Sequence, residues 1–320
     1  MRIGVFTPPY QNEPLEKALD IIKTLGATAA EIGTGGYPGS HHCPVDELLE
    51  NEEKRKKYLS GFSSRGMIIS ALSCHYEPLS PDEKIAKESD DLFRKTVELA
   101  QHLQVPVVNV LSGLPAGAPG DRMPNWVTCP WPPHFLEILE YQWEKVGIPY
   151  WSKAEKYARD HGVKIGIEMH PGMLIYNVET LLRMRAETGP ALGANFDPSH
   201  LFWNGVDAVA AIRKLGEAIF HVHGKDSYID PFNTAINGCN DHKPYGNIPE
   251  RSWTFRAIGY GHDTKVWKDI VSALRMVGYD YVISIEHEDA LMSFDEGILK
   301  GISVLKNAVT FEEPGELFWA

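Results

Sequence analysis

Along nearly the whole chain, short runs of β-branched and other apolar residues alternate with longer stretches whose apolar positions recur every three or four residues. The short runs cover residues 3–6, 29–32, 68–73, 107–111, 164–168, 192–196, 219–223 and 281–286. They are too continuously apolar for half-exposed strands, and predict strands covered on both faces. Between them the period is helical. Leu15, Leu19, Ile22 and Leu25 share one face of a helix, and Trp267, Ile270, Val271, Leu274 and Val277 share another. Gly26, Gly66, Gly162 and Gly278 each stand between such a helix and the next strand, where a left-handed helix cap is expected. Eight strand–helix units in succession predict an α/β fold, a single (β/α)8 TIM barrel rather than an open sheet. No shift in composition marks a second domain, so residues 1–320 read as one.

Two connections are too long for ordinary turns. Residues 112–133, after the fourth strand, are rich in Gly and Pro and contain Trp126 and Trp131. Residues 225–262, after the seventh, carry Tyr228, Phe232, Tyr245, Trp253 and Phe255. Both leave the C-terminal ends of strands, so both are expected over the active-site mouth as lid or substrate-binding loops.

Composition narrows the function. A formal charge of −12 argues against a nucleic-acid partner and against an anionic membrane surface. The first residues lack the apolar stretch of a signal peptide or membrane span. Cys43, Cys74, Cys129 and Cys239 are scattered, with no CxxC pair, and read as reduced thiols of a cytoplasmic protein. The glycines of 33–39 lack the GxGxxG spacing of a dinucleotide site.

The chemistry gathers at the ends of the last four strands. These read Ile167-Glu168-Met169-His170, Phe196-Asp197-Pro198-Ser199-His200, His221-Val222-His223-Gly224-Lys225 and Ile285-Glu286-His287-Glu288. Carboxylates and imidazoles at the C-terminal ends of consecutive barrel strands converge on one point. Left unpaired there they would cost several kcal/mol each in lost hydration, about the penalty for buried ions generally, and a divalent cation removes that penalty. Three carboxylates and one neutral imidazole, with no thiolate, favour a hard ion: Mn²⁺ first, with Mg²⁺, Co²⁺ and Zn²⁺ left open. Such a set leaves coordination positions for a substrate carbonyl and a neighbouring hydroxyl. Strand alternation turns His170 to the side of Glu168, as a general base or acid, and His221 to the side of His223, or one layer deeper as a ligand-orienting group. His200 is placed for a substrate hydroxyl. His75, Lys225, Arg256 and Trp126 are further candidates for substrate binding; His41, His42 and Arg251 share the same face with weaker claims.

Through the motifs IEMHPG, DPSH, HVHGKD and SIEHED, in that order on strands five to eight, the chain resembles the sugar phosphate isomerase/epimerase family of xylose isomerase-like barrels. The resemblance spans essentially the whole chain. It implies one metal bound by Glu168, Asp197, His223 and Glu286. It also implies that Glu168 and Glu286 act as the acid/base pair on opposite faces of a sugar carbon. The expected reaction is proton abstraction α to a carbonyl through a metal-stabilised enediolate, giving isomerisation or epimerisation of a small-molecule sugar. A second branch of the resemblance, the C-glycoside deglycosidase catalytic subunits, has a His two residues after the first metal Glu, as His170 follows Glu168. That branch implies a carbon–carbon lyase on 3-oxo-glucosides working with a small second subunit; otherwise a homo-oligomer is expected. The apurinic endonuclease IV branch, with its trinuclear zinc and basic groove, fits the acidic balance poorly. A non-enzymatic reading, a structural metal site or a sugar-binding module, does not need His170 and His200 facing the same cavity.

Overall fold

The computed structural model describes residues 1–313 and 315–319. Eight strands close into a parallel barrel: β1 (Arg2–Phe6), β2 (Ala29–Gly33), β3 (Ile68–Ser73), β4 (Val107–Leu111), β5 (Lys164–Glu168), β6 (Leu192–Phe196), β7 (Ile219–Gly224) and β10 (Val282–Ile285). The ring is shut by β1 against β10, with Arg2 opposite Val282 and Val5 opposite Ile285. Every predicted run is a barrel strand, and boundaries differ by at most a residue.

Helices wrap the barrel and bury their apolar faces on it. Leu19 and Ile22 on the helix Leu15–Leu25, and Trp267, Ile270 and Leu274 on Thr264–Met276, are fully buried in one continuous core. Burial of each such side chain is worth about 1.5–3 kcal/mol. Gly26 ends the first helix at φ 110°, and its N–H reaches the carbonyls of Ile22 and Lys23. That left-handed turn aims the chain into β2 and disfavours any residue with a Cβ.

The interior of the barrel departs from the usual filling of branched aliphatic side chains. Glu31, Ser70, Ser73, Asn109, Asn195 and His221 are fully buried there. Two register shifts, at Ala30/Glu31 and at Ala194/Asn195, coincide with the entry of two of these polar residues. A bulge re-aims the side chain beside it, and here it turns polar groups inward.

The long connection 112–133 has no strand or helix beyond an isolated bridge between Ala116 and Pro124. The buried amide of Gln142 lies 3.1, 3.1 and 2.6 Å from the carbonyl oxygens of Pro115, Ala116 and Asn125 and holds the loop down. The segment 225–262, expected as a lid or substrate-binding loop, has regular structure of its own. It contains an antiparallel hairpin of β8 (Asp226–Ile229) and β9 (Trp253–Arg256), with a short helix, Pro231–Asn237, between them. The carboxylate of Asp226 accepts the backbone N–H groups of Gly259, Gly261 and His262 at 3.0, 3.2 and 2.9 Å, locking the return of the chain. Gly261 permits the approach, since a Cβ there would lie 2.2 Å from the Ser227 carbonyl oxygen. Among the described residues no helix is long and apolar enough to cross a membrane.

Candidate metal centre and active site

Glu168 is the last residue of β5, Asp197 follows β6, His223 lies near the end of β7 and Glu286 follows β10. Their donor atoms lie within 4.8 Å of one another at the C-terminal mouth of the barrel. His223 Nδ1 is 3.2 Å from Glu168 Oε2 and 3.0 Å from Glu286 Oε2. Asp197 turns Oδ1 to the N–H of Ser199 at 2.7 Å, capping the short helix Pro198–Phe202. Its Oδ2 is buried without a hydrogen-bond partner, although His200 Nε2 stands 3.4 Å and Lys225 Nζ 3.9 Å from it. An orphaned carboxylate oxygen facing two more carboxylates and an imidazole nitrogen fits a divalent cation, whose charge would satisfy all four.

The surroundings fix the charge of each group. Burial opposes ionisation of Glu168, but hydrogen bonds from His200, His223 and His75 outweigh it and hold the carboxyl well below its ordinary range. His200 Nε2 stands 3.1 Å from Oε1, and His75 Nε2 stands 3.1 Å from Oε2. For Glu286 burial is likewise overcome, by Lys225 and His223, and the pKa falls to about 2. Asp197, with burial dominant, is pushed up instead. Burial also acts against a charged His223, but Glu31 and Glu286 win and raise it well above an ordinary imidazole.

Glu31, on β2, was not singled out by the sequence. It accepts from His223 Nε2 at 3.0 Å, from Ser73 Oγ at 2.6 Å and from Asn109 Nδ2 at 2.9 Å. Burial is outweighed by His223 and His221, so the carboxyl is strongly acidic. A proton on Nε2 leaves Nδ1, the nitrogen among the other three donors, free to bind a cation. With a cation on Nδ1 this would be the carboxylate–histidine–metal arrangement. The only sequence sign was one acid in an otherwise apolar strand, Ala29-Ala30-Glu31-Ile32. His221 lies a layer deeper than His223, within 3.0 Å of Asn195 Oδ1 and 3.2 Å of Ser70 Oγ. Glu31, His221 and His223 also form a second group close enough to share an ion, but hydrogen bonds already fill Glu31.

A cavity of about 730 Å³ opens over Glu168 and Glu286, with Asp197 and His223 buried beneath. His75, His170, His200, Lys225 and Arg256 line it, with aromatic walls from Phe6, Tyr37, Tyr245 and Phe255. His170 packs against His200, ring centroids 4.1 Å apart. Lys225 Nζ lies 4.2 Å from the Phe255 ring centre. Four sequence candidates stand away from this cavity, among them His41, which is exposed. Trp126 packs edge-on against Tyr176, and no residue of 112–133 lines the cavity, unlike the hairpin that follows β7. Arg251 is buried between Tyr245 and Trp253. His42 is held by the Glu13 carbonyl oxygen at 3.0 Å.

A family model described as the xylose isomerase-like TIM barrel matches residues 19–308. The chain belongs to that family. It is 42% identical over 313 residues to the uncharacterised protein YfiH of Bacillus subtilis, covering 97% of this chain and 100% of that one. Among solved structures it is similar to a D-tagatose 3-epimerase-like protein, at 23% identity and TM-score 0.64, covering 96% and 97% of the two chains. It is also similar to IolI with a bound zinc atom, at 18% identity and TM-score 0.63, covering 97% and 98%. These structural likenesses concern the fold.

Proposed function

We propose that this protein is a divalent-metal-dependent sugar isomerase or epimerase, moving a proton at the carbon α to a carbonyl. The observation that carries the reading is the group Glu168, Asp197, His223 and Glu286, with its orphaned Asp197 oxygen, at the floor of a cavity walled by imidazoles and aromatic rings. A hard divalent ion held there would polarise a carbonyl oxygen and bear the negative charge that develops when the α proton leaves. Mn²⁺ suits the oxygen-rich donors, and the zinc of IolI is a second choice to be tested.

The chain's own groups supply the proton traffic. His170 Nδ1 donates to the Pro171 carbonyl oxygen at 2.6 Å, which leaves the lone pair on Nε2. Burial and then the neighbouring His200 lower its pKa to about 3, so the ring is neutral at physiological pH and its Nε2 lone pair is unprotonated. Glu168, ionised and braced by three imidazoles, is the alternative base. Glu286 faces the same space from the end of β10, with the Lys225 ammonium 3.2 Å from its Oε2; ionised at rest, it would take up a proton from solvent through the cavity and then return it on the other side. Returned to the same carbon on its opposite face, the proton gives epimerisation; returned to the adjacent carbon, it gives isomerisation. A positioned acid or base is worth roughly 10²–10⁴ in rate.

A second reading, carbon–carbon lyase chemistry on a 3-oxo-glucoside, draws support from the size and lining of the cavity. A volume of about 730 Å³ with aromatic walls lies within the approximate 300–1,000 Å³ that drug-sized ligands occupy. Deuterium-exchange NMR separates the two. Mn²⁺-loaded protein would be offered free ketoses, inososes, 3-keto-glucosides and a C-glucosylated flavonoid 3-ketone, with an EDTA-treated control. Metal-dependent deuterium wash-in with a new sugar is the expected result. Released aglycone supports the lyase, and no exchange with any substrate removes the isomerase reading.

A further inference from the structure

Two cations line the cavity, and each is matched to a carboxylate from the loop that follows β10. Lys225 is buried, its Nζ 3.2 Å from Glu286 Oε2, 2.5 Å from Glu288 Oε2 and 3.9 Å from Asp197 Oδ2. Two of those three, Glu286 and Asp197, belong to the donor group that would surround a metal. Glu288 does not. With Glu286 and Asp197 committed to an ion, Glu288 is the carboxylate left to balance Lys225. Arg256 repeats the pattern: its Nε donates to Asp289 Oδ2 at 2.9 Å, and that carboxylate also accepts from Ala257 N at 2.9 Å. The other charged residues in the lining, Glu168 and Glu286, are both acidic.

We infer that Glu288, assisted by Asp289, determines charge specificity: it cancels Lys225 and Arg256 and selects an uncharged polyol or keto-sugar over a phosphorylated or carboxylated one. This rests on the reading of the cavity as a sugar site. A phosphate brought to Lys225 would meet Glu288 at the same nitrogen. Like charges at such separations repel by about 1 kcal/mol in water and several times more in a partly buried site. A hydroxyl pays no such penalty, since it can donate to Glu288 or accept from Lys225. The carboxylates thus act as a rejecting element for anions while remaining hydrogen-bond partners for neutral oxygens.

The test needs no turnover, so it stands apart from the reaction itself. Mg²⁺-loaded wild type, Glu288→Gln and the double variant Lys225→Met/Glu288→Gln would be titrated with inorganic phosphate by calorimetry. Glu288 is half-exposed at the cavity, and the amide has the same shape, so folding is expected to survive; the thermal transition of each variant checks it. The expected result is at least tenfold tighter phosphate binding by Glu288→Gln than by wild type, with the gain lost in the double variant. Phosphate binding as tight in wild type as in Glu288→Gln, or a gain that persists without Lys225, would overturn the inference.

Discussion

The two halves of the barrel do different work around one imidazole. Strands β5, β6, β7 and β10 deliver the four donors, Glu168, Asp197, His223 and Glu286, to one face of the site. Strands β2, β3 and β4 deliver Glu31, Ser73 and Asn109: the last two donate to Glu31, and Glu31 meets the far side of His223. The segment after β3 adds His75, which reaches across to Glu168. One half presents chemistry to the cavity, while the other aims and charges it from within the barrel. Donors of a metal site therefore need not be its only electrostatic determinants: a carboxylate on the opposite wall fixes which nitrogen of His223 is available.

Substitutions in the two halves should separate in kind and in size. Glu168→Gln, in the donor half, should remove a ligand and a candidate base together. Activity is expected to fall below detection and metal affinity to drop by more than the roughly 10–100-fold typical of a supporting group, as read by isothermal titration and turnover on the same sample. His170→Ala should cost roughly 10²–10⁴ in kcat while leaving metal affinity nearly unchanged; parallel loss of metal would make His170 a ligand. Glu31→Gln, in the supporting half, should weaken metal binding about 10–100-fold although residue 31 touches no substrate. Unchanged affinity there would reduce Glu31 to a packing role and erase the distinction between the halves.

The smallest effect is in pH dependence. The carboxylates around His223 raise its pKa, so proton and cation compete for Nδ1. Glu168 and Glu286, both lowered, are already ionised at neutral pH and release nothing, whereas Asp197, raised by burial, holds its proton to higher pH than an ordinary aspartate. Metal affinity should therefore rise with pH, by at least about tenfold per unit, up to the raised pKa of His223 and level off above it. Calorimetry in buffers of different ionisation enthalpy would show at least about one proton released per ion at neutral pH.

The donor half was legible in the sequence because its polar residues interrupt apolar strands at their ends, four times in succession. All eight barrel strands were legible for the related reason that doubly covered strands are continuously apolar. The supporting residues were not. Glu31 and Asn109 in the other half, and Asn195 on β6, sit singly inside apolar runs, and only the closed ring, with its register shifts beside Glu31 and Asn195, brings them together. The β8–β9 hairpin was also hidden, since its order depends on Asp226 gathering backbone N–H groups from more than thirty residues away. Trp126 shows the opposite failure: aromatic content suggested a cavity residue, whereas the side chain packs on Tyr176.

The most direct measurement is a Mn²⁺ titration of EDTA-stripped protein followed by electron paramagnetic resonance, with Asp197→Asn in parallel. The amide keeps the Oδ1 bond to Ser199 and replaces the orphaned Oδ2 that points among the donors. One ion bound per wild-type chain, and little or none in the variant, is the predicted result. Wild type that takes up no Mn²⁺, Zn²⁺ or Co²⁺, or a variant that binds as tightly as wild type, would contradict a metal centre built from Glu168, Asp197, His223 and Glu286.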